Sequence, residues 1–593
     1  MTLRGLALLA ACAVAIDNAC SIDDACDDDA VLIDDVRACE LGGQCVVRWR
    51  GGASCAAIHL EVARGDGELL AAADSPNDGL ELFSFAEDYA PGPHVVRVAC
   101  RNAAATAPFD VVAAARRVAT TCRTDAGTLA PCGPGAEGCR DVDGPRFHVV
   151  DRSGCAINDP AAPARDPRHG GFHVFYQKRV AAPGGAGPVW GHAVSADLVT
   201  WAPLPAALWN DGGDGDAVLT GSALPGDDLK LLYAARAAAG APVHWRVAAP
   251  ADDADELLVD WRKGAVVAAD ASRDPAAPWR VADEWRTVAY DGLTYGSTDG
   301  FLETSYAVGR EFGPRACECP TLFPLPRTRD GAADASRPTH VFKRSCQEED
   351  GAYDQWRLGT YDATRPGEAG AFVAASGWRR VDAGFYYASK DAADGDRRFL
   401  FGWLQVSPAS ALSIRELFWD PATGYVDQYP LAELDGRRGA ALVDATATDG
   451  SNVTAPLRQS DVVVALDVGD GPFFAAVVLG PTACTLTRLA GLSGVALARC
   501  SNPVAGDLVQ EIPLRESTTE IRVLTDWTFH EVFFARGRAA MTVAAVPDDG
   551  GVLPAALPLA VRAVACAARV RAYPVADAAT TPEDVRSRLR HRP

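Results

Sequence analysis

The sequence predicts an all-β protein, with a long radial sheet region between two β-sandwiches. Three observations carry that prediction. Short runs rich in aromatic and β-branched residues recur along the chain, separated by Gly, Pro, Asn and Asp; this is the pattern of strands joined by turns. Helical periodicity is scarce over all 593 residues. Composition also shifts along the chain: ten of the 17 cysteines fall from Cys20 to Cys155, whereas most of the 13 tryptophans fall between residues 146 and 429.

The first residues read as a secretory signal over 1–19. Arg4 supplies the positive charge, residues 5–16 the short apolar core, and Ala13, Ala15 and Ala19 the small residues near a cleavage point. The apolar run is too short to span a bilayer. An acidic stretch from Asp23 to Asp29 follows; its spacing does not fit an EF-hand loop, and it reads as a solvated segment. Residues 20–120 are expected to form a small, loosely immunoglobulin-like β-sandwich. Its strands are 44–49, 57–62 and 94–100, and Cys45 or Cys55 pairs with Cys100. A Cys/Gly/Pro-rich linker over 121–145 leads to the long region 146–430. Strands are expected there at 172–176, 230–234, 285–290, 339–343, 356–361 and 398–403. So many short strands suggest a radial architecture such as a propeller, although no repeat is strong enough to count blades. A polar connector over 431–440, compatible with a helical turn, precedes a second sandwich, 441–580, in which Cys484 and Cys500 are expected to pair. A polar tail, 581–593, closes the chain.

The totals bound the function. Acidic residues number 78 against 56 basic ones, a formal charge of −22, which argues against a nucleic-acid partner. Hydrophobic content of 48% indicates a folded protein with ample core. The cysteine usage, without paired Cys-x-x-Cys zinc spacing, reads as disulfides in an oxidising compartment. Asn452-Val453-Thr454 is a glycosylation sequon if the chain is exported. The expected location is therefore extracellular or a vacuolar lumen.

Three carboxylates have informative surroundings: Asp159 in Asn158-Asp159-Pro160, Asp274 in Arg273-Asp274-Pro275, and Glu318 in Cys317-Glu318-Cys319-Pro320. Proline restricts the residue before it to extended or turn backbone, so Asp159 and Asp274 are held by their backbone. Asp159 is read as sitting in a turn ahead of the strand that begins at Phe172. No cofactor or metal is expected. Asp211-Gly212-Gly213-Asp214-Gly215-Asp216 resembles a calcium loop, but its position suggests a loop near the site instead.

These residues, in this order, resemble those of glycoside hydrolase family 32, the invertases and fructanases. Asn158-Asp159-Pro160 and the strand Phe172-His173-Val174-Phe175-Tyr176-Gln177 are similar to the family's first motif. Trp190-Gly191-His192, Thr220-Gly221-Ser222-Ala223, Arg273-Asp274-Pro275, Glu318-Cys319-Pro320, Tyr387-Ala388-Ser389-Lys390 and Gly402-Trp403 follow collinearly. Asp526-Trp527-Thr528-Phe529-His530-Glu531-Val532-Phe533 resembles a segment of the family's sandwich. The resemblance implies a five-bladed β-propeller joined to a β-sandwich, with the N-terminal sandwich as an addition. It implies that Asp159 attacks the anomeric carbon of a fructosyl unit, that Glu318 is acid and then base, and that Asp274 stabilises the transition state. It further implies sugar contacts from Asn158, Gln177, Trp190, Thr220, Gly221, Ser222 and Arg273. Glu318 has the least polar sequence context and is expected to hold the proton, while Asp274 beside Arg273 is expected to stay ionised. His192 is either a sugar ligand or a structural histidine. Trp201 and Trp403 are read as core, and Trp209, Phe172 and Trp279 as flanking aromatics.

The chain departs from the family pattern in two places. Ala161-Ala162 replaces the Asn-Gly that usually follows the first motif, so the backbone there lacks glycine's freedom. After Lys343, the Asp and Lys that help plant-type invertases hold glucose are only half present, Asp350 being the one stand-in. The expected function is a secreted retaining glycosidase acting on terminal β-D-fructofuranosides, either sucrose or fructans. A fructosyltransferase using the same site and a carbohydrate-binding protein without turnover are the alternatives.

Overall fold

The computed structural model describes residues 31–112 and 145–591 apart from short interruptions, chiefly 85–91, 152–156, 180–187, 211–213, 313–316, 332–338, 366–370, 407–409 and 546–556. Two short strands, Cys122–Thr124 and Gly127–Leu129, are described between these spans. The expected signal, the acidic stretch around Asp23, Cys139, Cys155 and Asp350 lie outside the described residues. The chain divides into two units, Met1–Ala114 and Ala115–Pro593.

The first unit contains a three-stranded sheet (Val31–Val36, Gln44–Gly51, Leu80–Ser84). Its second sheet has five strands, in spatial order Cys39–Glu40, Ala103–Val112, Gly92–Cys100, Ala57–Arg64 and Leu69–Pro76. Ile58, Leu60 and Val62 alternate into a core with Trp49, Val96 and Val98, as a sheet with one wet face requires. Of the two cysteines open to Cys100, Cys55 is the partner.

In the second unit five sheets follow one another along the chain, each built from consecutive antiparallel strands. They begin at Ile157–Arg165, Ala217–Leu224, Trp279–Val281, Glu318–Pro324 and Tyr386–Asp394. The first strand of blade 1 contacts the first strands of both blade 2 and blade 5, which closes the ring. This is a five-bladed propeller. Blade strands such as Pro188–Ser195 are buried along their whole length because they sit between neighbouring blades. Beyond a short 3₁₀ turn, Ala432–Arg437, two six-stranded sheets pack face to face around Val464, Leu486, Phe534 and Met541. Cys484 and Cys500 lie opposite each other on adjacent strands of one sheet and are bonded.

The Asp526-to-Phe533 motif fastens this sandwich to the propeller. Asp526 accepts the backbone N–H groups of Arg146 (2.7 Å), Phe147 (3.0 Å) and His148 (3.1 Å). The His148 ring bridges Asp526 and Glu531, at 2.7 Å to each. Glu531 also accepts Arg415 from blade 5, whose guanidinium reaches Asp382 as well. Burial alone would lower the His148 value; hydrogen bonds to Asp526 and Glu531, with their charges, outweigh it and raise it to about 9. The folded state thus binds this proton more tightly than the unfolded chain does. The contribution is full below about pH 6.5 and is lost as pH rises through about 9. The melting temperature should therefore fall between pH 7 and pH 9.5, and a His148→Gln variant should show a smaller fall; equal slopes would refute the assignment.

The segment expected as a polar tail folds as a helix, Pro582–Arg590. Thr581 and Asp584 form a capping box at its start. Val585 and Leu589 are buried, Arg588 binds Thr200 and Asp197 of blade 1, and Arg590 binds Glu256. Its two apolar residues are four apart, which makes one helical face inside a basic segment.

Candidate active site

Each of four first strands carries one extra residue where it reaches the same end of the ring. The register slips between Ile157 and Pro160, Leu219 and Gly221, Glu318 and Thr321, and Tyr387 and Lys390. Such bulges break the pairing locally and re-aim side chains. The residues at these four points are Asn158 and Asp159, Thr220, Glu318 and Cys319, and Tyr387, Ala388 and Ser389. Asp159 thus lies within a strand, Ile157–Arg165, and not in a preceding turn. Proline is tolerated there because Ile157–Arg165 is the edge strand of its sheet and Pro160 borders the bulge. Blade 3 supplies Asp274 from the segment just before its short first strand. Asp274 (φ 61°), Cys319 (φ 44°) and Ala388 (φ 53°) adopt left-handed backbone, as does Ala162 (φ 46°), where the chain lacks a glycine.

The three carboxylates meet around Arg273 and Cys319. Arg273 Nη2 donates to Glu318 Oε1 at 2.6 Å, and its Nε lies 3.5 Å from Asp274 Oδ2. The guanidinium stacks 3.8 Å over the Tyr290 ring, which fixes its plane. The Cys319 backbone N–H donates to Asp274 Oδ2 (3.2 Å), and its sulfur sits 3.7 Å from Asp159 Oδ2. Thr220 Oγ1 donates to Asp159 Oδ2 at 2.7 Å, with Gln177 Nε2 at 3.4 Å from the same oxygen. Among the described residues every hydrogen bond to the Asp159 carboxyl falls on Oδ2, none on Oδ1. Glu318 Oε2 accepts Tyr387 Oη at 2.7 Å and Gln347 Nε2 at 3.1 Å.

The electrostatics reverse one expectation. Asp274, 4% exposed, is the most secluded of the three. Asp159 keeps a solvent-facing edge, yet protein encloses it on most sides. That desolvation, followed by the charge of Asp274, raises it to about 7. Burial also pushes Asp274 up, against the opposing pull of Arg273 and Lys390. Glu318 is not the sheltered member. Its side chain is 26% exposed and surrounded by donors. Neighbouring cysteines and proline in sequence do not remove water; the strand end on which Glu318 sits leaves it facing the opening.

The proposed sugar contacts divide. Gln177, Thr220 and Arg273 touch the carboxylates directly. Asn158 accepts the backbone N–H of Asp159 at 3.0 Å. Trp190 is fully buried, packs against Phe175 and Tyr233, and donates to the Leu219 carbonyl; it offers no face to a sugar. Ser222 is buried and donates to the Pro275 carbonyl (2.7 Å), which Lys390 also binds (3.2 Å), so it holds the Arg273-Asp274-Pro275 segment in place. Gly221 answers a packing need: a Cβ there would lie 2.1 Å from the Leu232 carbonyl oxygen. His192 is the structural histidine, buried 2.9 Å from His173 and stacked on Phe175. Phe172 and Trp201 are core, and Trp279 packs on Phe312 and Tyr361. Trp403, half-buried, packs against the core that holds Phe172 and Trp201 and also reaches Tyr387 and Cys319 beside the site. Asp214 is buried between Arg246 (2.9 Å) and Lys263 (2.5 Å), an internal ion cluster. Among the described residues no group of three His, Cys, Asp or Glu side chains is arranged to hold a metal.

Sequence reasoning assigned no role to Tyr387, Lys390, Gln347 or the Cys317–Cys346 disulfide. The Tyr-Ala-Ser-Lys motif was the available signal for the first two. Lys343 and Asp354, both fully buried, bind Ser389 and brace that bulge from below. Tyr387→Phe, which removes one donor to Glu318, should lower kcat/KM on the order of tenfold to hundredfold with little change in melting temperature; an unchanged kcat/KM would show the contact to be idle.

The described residues thus form a propeller, with carboxylates from blades 1, 3 and 4 converging at one end, followed by a sandwich. Residues 152–428 match the glycosyl hydrolases family 32 N-terminal domain. The chain is 30% identical over 369 residues to an acid beta-fructofuranosidase of Phaseolus vulgaris, covering 53% of this chain and 55% of that one. It is 27% identical over 380 residues to the cell wall isozyme of beta-fructofuranosidase from Pisum sativum, covering 53% and 65%. The chain spans about half the length of the first of these curated relatives. Fructan 1-exohydrolase IIa from Cichorium intybus has the same fold, with a TM-score of 0.59, 21% identity, and coverage of 74% of this chain and 99% of that one. A variant of that protein has been solved in complex with 1-kestose. No helix among the described residues is long and apolar enough to cross a membrane.

Proposed function

We propose that the protein is a retaining β-fructofuranosidase, cleaving terminal β-D-fructofuranosides of sucrose or fructans through a covalent fructosyl-enzyme. One observation carries this reading: among the described residues Asp159 is hydrogen-bonded through one carboxyl oxygen only, beside a second carboxyl, Glu318, that faces the opening. Retaining glycosidases use such a pair, roughly 5 Å apart, as nucleophile and acid. Asp159 Oδ1 attacks the anomeric carbon while Glu318 protonates the departing glycosidic oxygen. Glu318 then takes a proton from water, which attacks the same carbon and releases Asp159. Asp274 stays beside the ring, where negative charge favours an oxocarbenium-like transition state, and Arg273 orients both of its carboxylate neighbours.

Interacting carboxyls titrate as one unit. The working state has one proton, which rests on Asp159 in the empty site and must stand on Glu318 when the sugar is bound. Because Asp159 lies at about 7, the unit loses this proton as pH rises through neutrality. The acid then disappears, so kcat/KM should fall above about pH 7; a profile flat to pH 9 would contradict this.

Export is supported by the three disulfides among the described residues, which persist in oxidising compartments. Incubation with sucrose, inulin and levan tests the reaction. Free fructose supports hydrolysis. Longer oligosaccharides would make the protein a fructosyltransferase, and binding without cleavage would end the enzyme reading.

A further inference from the structure

Glu318 is the first residue of its strand, Glu318–Pro324, so no ladder bond restrains the chain on its N-terminal side. An acid that must deliver a proton along one direction needs an anchor there. Cys317, immediately before it, is bonded to Cys346, with Cα atoms 4.6 Å apart. Cys346 in turn immediately precedes Gln347, whose amide donates to Glu318 Oε2. The bond therefore ties together the two backbone points from which Glu318 and its partner Gln347 project. Both cysteines are buried, 4% and 1% exposed, and pack against Tyr353. On the opposite side the Cys319 N–H is fixed to Asp274. Glu318 is thus clamped by the residues on either side of it.

We propose that the Cys317–Cys346 disulfide is a positioning device for the acid, holding Glu318 and Gln347 in the register that aims the Glu318 carboxyl at the leaving oxygen. This rests on the β-fructofuranosidase reading. Asp159, Thr220 and Gln177 are held by blades 1 and 2 and do not depend on the bond. Its loss should therefore impair proton delivery and spare nucleophilic attack.

The comparison uses full-length protein with both cysteines replaced, Cys317→Ser with Cys346→Ser, and two substrates. Sucrose needs a protonated leaving group; an aryl β-D-fructofuranoside with an acidic phenol does not. The ratio kcat/KM reports the first covalent step. For sucrose it should fall about tenfold or more, for the aryl substrate less than about threefold, and the basic limb of the sucrose profile should move. Equal losses on both substrates, or unchanged kcat/KM despite a lower melting temperature, would make the bond merely structural and overturn the proposal. If the serine pair does not fold, Cys317→Val with Cys346→Ala fills the apolar pocket beside Tyr353 and is read by the same two ratios. Wild-type protein inactive on both substrates would instead overturn the β-fructofuranosidase reading, and this inference with it.

Discussion

Asp159→Asn should lose at least ~10⁴-fold in kcat/KM and yet melt at a higher temperature than the wild type at neutral pH. The activity loss follows from removing the attacking oxygen: an amide is not a nucleophile toward an anomeric carbon, and covalent catalysis has no second route in this cluster. The stability gain follows from the site's electrostatics. Asp159 is forced up to about 7 from 3.8, so ionising it costs the folded state more than the unfolded chain. A carboxyl with a raised value contributes fully below its ordinary range, and that contribution is lost as pH rises through about 7. Asparagine keeps the shape and the acceptor for Thr220 without the charge. The variant should therefore gain a few degrees in melting temperature (~2–5 °C) at pH 8, and the gain should vanish near pH 4. Differential scanning calorimetry at the two pH values separates this from a general stabilisation, which would persist at both. Strain and like charge kept at a functional site, with stability recovered on their removal, is the expected trade.

Glu318→Gln is the second large effect. Loss of a positioned acid costs on the order of 10²–10⁴-fold when the leaving group needs its proton. On sucrose kcat/KM should fall by that amount. On an aryl β-fructofuranoside it should fall far less, while kcat becomes limited by the second step, because no base remains to activate water. Glutamine keeps the size and one acceptor oxygen, which can serve Arg273, while its NH2 group can donate to the Tyr387 hydroxyl, so the cluster is expected to stay assembled. An equal fall on both substrates would remove Glu318 from the acid role and leave it as a ligand of Arg273.

The carboxylates were legible in sequence because each sits in a short motif whose order along the chain matches one family. The bulges that aim them were not, because a single extra residue in a strand leaves no mark on hydrophobic periodicity. This is why Asp159 read as a turn residue. The blades resisted counting for a related reason: strands such as Pro188–Ser195 are buried on both faces, which erases the alternation that marks a half-exposed strand. Trp190 and Ser222 were assigned to the sugar because they stand inside motifs, yet both serve the scaffold behind it. Proximity in sequence does not say which side of a strand faces the opening. Glu318 misled in the opposite direction. Its apolar neighbours are a disulfide partner and a residue turned toward Asp274, and neither shields its carboxyl. The Asp526-to-Phe533 segment was recognisable as a motif, but its purpose needs a contact across some 380 residues, between Asp526 and His148, that no local pattern encodes.

The central claim is that Asp159 becomes covalently fructosylated. The direct measurement is to mix the Glu318→Gln protein with an aryl β-D-fructofuranoside, quench in acid during the slow second step, digest, and sequence the modified peptide by mass spectrometry. One added fructosyl unit on Asp159 is the predicted result. An adduct on Asp274, or continued release of the phenol with no adduct on any carboxylate, would contradict it.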